Sequence, residues 1–125
     1  MLKIDTDKTI NITRGDTGSI TISANDSAGN SYSFAINDIV RLKVMVKDNV
    51  NNIVLKKDVK VTSVGTTVNM DLDSADTKIG NYINKPVTYW YEIELNPDTS
   101  PITIIGYDND GPKKFILYPE AGETT

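Results

Sequence analysis

The sequence IVRLKVMVK, Ile39–Lys47, is the stretch from which the fold can be predicted. Its apolar residues recur at every second position and its charged residues fall between them: Val40, Leu42, Val44 and Val46 alternate with Arg41, Lys43 and Lys47. A period of two places successive side chains on opposite faces of a β-strand, whereas a helix would scatter them around its surface. β-Branched side chains also favour strands. We therefore predict a half-buried strand near the middle of a sheet, with its valine face toward a core.

Similar short segments, separated by turn signals, run along the rest of the chain. Strands are predicted at 2–4, 9–13, 19–24, 53–61, 67–72, 87–95, 102–107 and 113–118, with a short strand or extended arm at 32–36. The segment at 9–13 is expected at a sheet edge, and the last two strands are expected to pair. Asp73–Gly80 is the one helical candidate, because Asp73 or Ser74 can cap a turn that Gly80 ends. The sequence thus predicts an all-β, Ig-like antiparallel β-sandwich of about seven to nine strands with one short helical turn. A barrel is the alternative.

The predicted strand over 53–61 contains an irregularity. Ile53 and Leu55 share their alternation with Lys57, so a regular strand would turn this lysine toward the core. We expect instead a bulge or a loop near Lys56–Asp58.

Composition excludes several classes of function. The chain has 125 residues, which suits one domain over 1–125 with a loose polar tail at 119–125. It contains no cysteine and no histidine, so no Ser-His-Asp triad, thiolate nucleophile or Cys/His zinc site can be built from it. A net charge of −4 disfavours nucleic acid and anionic membranes as partners. The N-terminus lacks the apolar run of a signal peptide, so we expect the chain in the cytoplasm unless other proteins release it.

The order of several short motifs resembles the N-terminal domain of phage upper baseplate proteins and similar small prophage proteins of Gram-positive bacteria. The motifs, in chain order, are TRGDT at Thr13–Thr17, YSFAINDIVRLKVMV at Tyr32–Val46, VLKK at Val54–Lys57, ADTKIG at Ala75–Gly80, YWYEIEL at Tyr89–Leu95, ITII at Ile102–Ile105 and FILYP at Phe115–Pro119. The chain departs from that family in two loops, at Asn37-Asp38 and at Asn81–Pro86.

This resemblance implies an Ig-like sandwich without catalytic activity. It would serve as a tail or baseplate component of a phage or prophage virion, assembled in the bacterial cytoplasm. Its expected partners are other tail or baseplate proteins, and assembly with copies of itself is the further expectation. The matching residues are typical of core and turns, so the resemblance assigns no functional residue.

Trp90, Glu92 and Glu94 are the candidate partner-contact residues, because they share one face of a predicted strand opposite the tyrosines. An exposed tryptophan between acids could anchor a protein. It could also stack on a sugar together with Tyr82, Tyr89 or Tyr107, which makes a carbohydrate-binding or adhesion module the alternative function. Trp90 could instead pack under a loop, or its face could be the core face, with the tyrosines outside.

Other motifs have simpler structural explanations. Glu92 and Glu94 have the separation of an inverting glycosidase pair, but a solvated strand face gives the same pattern. Asp108-Asn109-Asp110-Gly111 resembles part of a calcium loop, yet the following lysines favour a plain turn. Asp73 and Asp76 are expected to cap the helical turn. Arg14-Gly15-Asp16 spells the integrin tripeptide, and a glycine-centred turn explains it. The sequence therefore predicts no catalytic, cofactor or metal site.

Overall fold

The computed structural model describes residues 1–26 and 28–120 as nine strands and one helical turn. The strands are β1 Leu2–Ile4, β2 Ile10–Thr13, β3 Gly18–Ile22, β4 Ile39–Val46, β5 Asn49–Lys60, β6 Val68–Leu72, β7 Val87–Leu95, β8 Ile102–Ile105 and β9 Lys113–Tyr118, and the helical turn is α1 Ser74–Thr77. The predicted all-β sandwich with one short helical turn is confirmed, and the sheets do not close into a barrel.

The two layers of the sandwich are unequal. Seven strands form the large sheet in the order β1-β2-β9-β7-β4-β5, with β8 also paired to β7, while β3 and β6 form the small sheet. All described pairings are antiparallel except that of β2 with β9, which is parallel. The prediction of an edge position for the 9–13 segment was wrong, because β2 lies between β1 and β9.

Strand β4 is paired on both sides, with β5 and with β7. Its inner face carries Val40, Leu42 and Val44, each with 0% of its surface exposed. These side chains lie opposite Leu95, Ile93 and Tyr91 of β7. The valine-rich alternation therefore buries the face that the sequence predicted.

One apolar core lies between the two sheets. The large sheet contributes residues of β2, β4, β7 and β9, and the small sheet covers them with Ile20, Ile22, Val68, Met70 and Leu72. Phe34, from the extended arm, is fully buried in the same core and pairs through its backbone with Gly65. The arm thus packs against the core and pairs with the segment that precedes β6.

The expected bulge near Lys56–Asp58 was wrong. Strand β5 is continuous there, and Lys56, Lys57 and Asp58 pair in register with Lys43, Leu42 and Arg41. The register shifts lie nearer the turn, where Ile53 opposes Met45 and Asn49 opposes Val46. Lys57 does face the same side as Leu42, its partner in the register, and its amine reaches Asp76 of α1, 2.7 Å away.

The last two strands do not pair with each other. β8 and β9 both pair with β7, β9 along its first half and β8 along its second half. Only an isolated bridge between Asp108 and Gly111 joins the loop that connects them. The predicted tail at 119–125 falls mostly on residues 121–125, which lie outside the described part of the chain.

Candidate functional site

The outer face of the large sheet presents three rows of side chains that cross β5, β4 and β7. Cross-strand register places Asp58, Arg41 and Glu94 in the first row, Lys56, Lys43 and Glu92 in the second, and Ile53, Met45 and Trp90 in the third. We call the first two the ion-paired rows and the third the apolar row. The three residues predicted from sequence, Trp90, Glu92 and Glu94, therefore lie on one face, and each belongs to a different row.

Lys43 forms ion pairs with both predicted glutamates. Its Nζ lies 2.8 Å from a carboxylate oxygen of Glu92 and 2.7 Å from one of Glu94. Burial would lower the pKa of Lys43, but the two carboxylates that accept its hydrogen bonds outweigh that effect and raise the pKa above its ordinary value. The two glutamates thus hold a shared lysine, an arrangement that favours an ion pair over a pair of catalytic acids.

Arg41 organises the other ion-paired row. Its guanidinium donates to both carboxylate oxygens of Asp58, at 2.7 and 3.0 Å, and to both of Asp98, at 3.1 and 3.0 Å. These fork-like hydrogen bonds raise the pKa of Arg41 and lower the pKa of each aspartate. Arg41 is only 8% exposed although it points away from the core. The sequence predicted its outward direction but could not show partners that lie far along the chain.

The apolar row is extended by Val50 of β5 and by residues of the loop between β8 and β9. Trp90 is half-buried, and it lines a small hollow with Met45, Val50, Tyr107 and Pro112. Tyr107 is 76% exposed, Val50 59% and Ile53 44%. Trp90 is therefore covered in part by the loop before β9, while exposed apolar side chains surround it. Contiguous apolar surface of this kind is typical of protein contacts.

The tyrosines proposed to stack with Trp90 do not all share its face. Tyr107 borders the same hollow, whereas Tyr89 alternates with Trp90 and packs against the core. Tyr82 is exposed in the loop before β7 and lines none of the hollows that border the apolar row. The hollow beside Trp90 measures about 70 Å³, which is small for a sugar ring.

The other acidic motifs have their carboxylates engaged within the chain. Asp73 and Asp76 form a reciprocal capping box at the start of α1, as the sequence predicted, and Asp76 also binds Lys57. Asp108 accepts from Lys113 at 2.7 Å within a turn. Across residues 1–26 and 28–120, no three acidic side chains gather as a metal site would require.

The Arg14-Gly15-Asp16 tripeptide is part of the fold. Arg14 is 7% exposed and donates to the carbonyls of Ile79 and Gly80, at 3.4 and 2.8 Å. Gly15 has a φ of +86°, which glycine adopts without strain. The glycine-centred turn is confirmed, and the buried guanidinium is not presented as an integrin ligand.

Comparisons with protein-family models, with curated proteins and with solved structures found no match. Within the described residues, no helix is long and apolar enough to cross a membrane.

Proposed function

We propose that this chain is a non-enzymatic structural protein of a phage or prophage virion, located in the tail or baseplate. It would act through contacts with other tail or baseplate proteins, and copies of the chain could assemble with one another. The observation that carries the proposal is the apolar row, which leaves exposed hydrophobic side chains around Trp90 on the outer face of the sheet. Exposed apolar surface of this kind marks protein contacts, which a virion component would make with its neighbours.

Contacts also join the motifs on which the family resemblance rests. Arg14 of TRGDT donates to carbonyls of Ile79 and Gly80 of ADTKIG, and Thr77 of that second motif donates to the carbonyl of Asp16 at 2.7 Å. Lys57 of VLKK binds Asp76. Motifs that are distant in the sequence are therefore in direct contact in the folded chain.

Engaged charges also favour a contact role over chemistry. Lys43 lies between Glu92 and Glu94, and Arg41 lies between Asp58 and Asp98. A general acid or base must exchange a proton with its substrate, and a carboxylate held by a lysine is poorly placed for that exchange. The geometry therefore supports a face that docks with a partner.

Mass spectrometry of virions tests the proposal. Tailed particles would be induced in the bacterium that encodes the chain and purified by density gradient. We expect peptides of the chain in the particle fraction, at a stoichiometry that matches the symmetry of the tail. Peptides confined to the soluble fraction, with complete particles beside them, would contradict the proposal.

A carbohydrate-binding or adhesion module is the second candidate. The observation in its favour is that Trp90 and Tyr107 border one hollow, although Tyr89 and Tyr82 do not extend it into a platform. A glycan array combined with light scattering separates the two candidates. A monomer that binds a defined glycan, and loses it in Trp90→Ala, would favour the adhesion module over the virion role.

A further inference from the structure

The free edge of β8 is the feature from which the inference starts. In the part of the chain that the structure describes, β8 pairs with β7 along one edge and has no strand on the other. Its sequence, ITII, carries no charge. Ile102 is 59% exposed, and Ile104 is the extra residue at an irregularity in the β7 pairing. An uncharged open edge is a ready template for another strand.

Two hollows follow this edge and meet at Thr103 and Ile104. The first, about 460 Å³, lies between β8 and the segment that contains Ala24 and Tyr32. The second, about 280 Å³, lies between β8 and Lys8. We call the two together the β8 slot. β9 and β8 pair with successive parts of β7, and β2 is the outer neighbour of β9. The β8 slot lies where β8 would have the corresponding outer neighbour.

The ends of the β8 slot carry opposite charges. Asp26 lines the first hollow, and its carboxylate accepts from the amides of Ala28 and Asn30. Lys8 lines the second hollow, where Asp108 and Lys113 neutralise each other. An occupant with a cation at the Asp26 end and an anion at the Lys8 end would be complementary to these charges.

The other long open edge has the opposite character. β5 is twelve residues long, but Lys56, Lys57 and Lys60 lie along it, and register shifts interrupt its pairing with β4. Edge lysines and bulges are the features by which natural sheets avoid pairing with other chains. β8 also has a bulged residue, so the presence or absence of charge separates the two edges.

We propose that the β8 slot binds an extended segment of a partner protein as an added strand. The segment would have small apolar residues at alternate positions, a basic residue at the Asp26 end and an acidic residue at the Lys8 end. Main-chain hydrogen bonds to β8 would supply affinity, and the two hollows would supply specificity. That the partner is a tail or baseplate protein rests on the proposed function, whereas the slot itself does not.

Binding of a synthetic peptide tests the slot directly. The probe is the capped heptapeptide Lys-Val-Thr-Val-Thr-Val-Glu, titrated into ¹⁵N-labelled protein and followed by NMR. We expect saturable shifts of the amides of residues 102–105 and of Ala24 to Asp26, with slower hydrogen exchange in β8. A peptide with proline in place of the central valine cannot complete the ladder and should bind at least about tenfold more weakly. A peptide with glutamate at both ends should also bind more weakly.

Two matched variants locate the binding site. Ile102→Lys places a charge in the slot, while Val64→Lys makes the same change at a residue of similar exposure in the loop between β5 and β6. We expect Ile102→Lys to lose about tenfold or more in affinity and Val64→Lys to bind as the unchanged protein does.

Each other outcome contradicts the proposal that the β8 slot binds an added strand. No saturable binding, binding with equal affinity to the proline peptide, or shifts centred on Trp90 would all contradict it. These outcomes leave the presence of the chain in virions unaffected. Conversely, peptide binding by a chain that is absent from particles would keep the slot and refute the proposed function.

Discussion

The two parts of the outer face of β7 differ in whether their side chains have partners within the chain. Toward Leu95, Glu92 and Glu94 lie in the ion-paired rows, where Lys43 and Arg41 supply the opposite charges. Toward Val87, Trp90 lies in the apolar row, with exposed hydrophobic neighbours. The charged side chains of a surface ion pair already have partners within the chain. Exposed apolar side chains, in contrast, lower the free energy when a partner protein buries them. We therefore propose that a partner contacts the Trp90 end.

The largest expected effect comes from the inner face, which supports both parts. Val44→Asp places an unpaired carboxylate in the core, and we expect it to cost several kcal/mol, enough to unfold a domain whose stability is about 5–15 kcal/mol. Val44→Ala should stay folded with a loss of about 2–3 kcal/mol. Far-UV circular dichroism and urea titration measure both variants. A folded Val44→Asp would refute the buried face of β4.

Substitutions of Lys43 test whether the outer face of β4 is an ion-paired surface or a merely solvated one. The alternation alone predicts that Lys43→Asp is nearly silent, but the structure shows that it would place a third carboxylate beside Glu92 and Glu94. We expect a loss of about 2–3 kcal/mol for Lys43→Asp and a smaller loss for the uncharged Lys43→Met. Urea titrations at low and high salt measure the difference, which screening should reduce. Equal stability of the two variants would show that the row contributes little.

Acid should weaken the row that Arg41 organises. Hydrogen bonds from Arg41 lower the pKa of Asp58 and Asp98 below the ordinary value of 3.8. Because the folded pKa is the lower one, this stabilisation is present above about pH 4 and is lost as the pH falls through the folded values. Urea midpoints measured from pH 7 to pH 3 should therefore fall less steeply for Arg41→Met than for the unchanged protein. Parallel curves would contradict the role of the guanidinium.

Local periodicity predicted the elements whose environment is set by neighbours in sequence. Alternation located β4 and β7, the β9 boundaries were predicted as observed, and the observed helix cap, Asp73, was one of the two predicted candidates. Each of these depends on side chains within a few residues, which a sequence displays directly.

Features that depend on distant partners were not predictable in this way. Nothing near β2 shows that it pairs in parallel with β9, because strand partners are chosen in three dimensions. Lys57 shares a side with Leu42, and its partner there, Asp76, is nineteen residues away in the sequence. The same holds for the candidate site. The sequence placed Trp90, Glu92 and Glu94 on one face, but Lys43, which pairs with the two glutamates and not with Trp90, comes from another strand.

The most direct test of the central claim, that the Trp90 end is the contact face, is the incorporation of variants into virions. Trp90→Ala should fold, with a stability loss of about 1–2 kcal/mol because the side chain is half-buried. Tyr82→Ala is the aromatic control outside the apolar row. Quantitative mass spectrometry of purified particles should show at least about a tenfold loss of the Trp90→Ala chain and full incorporation of Tyr82→Ala. Equal incorporation of both variants, with both folded, would contradict the account.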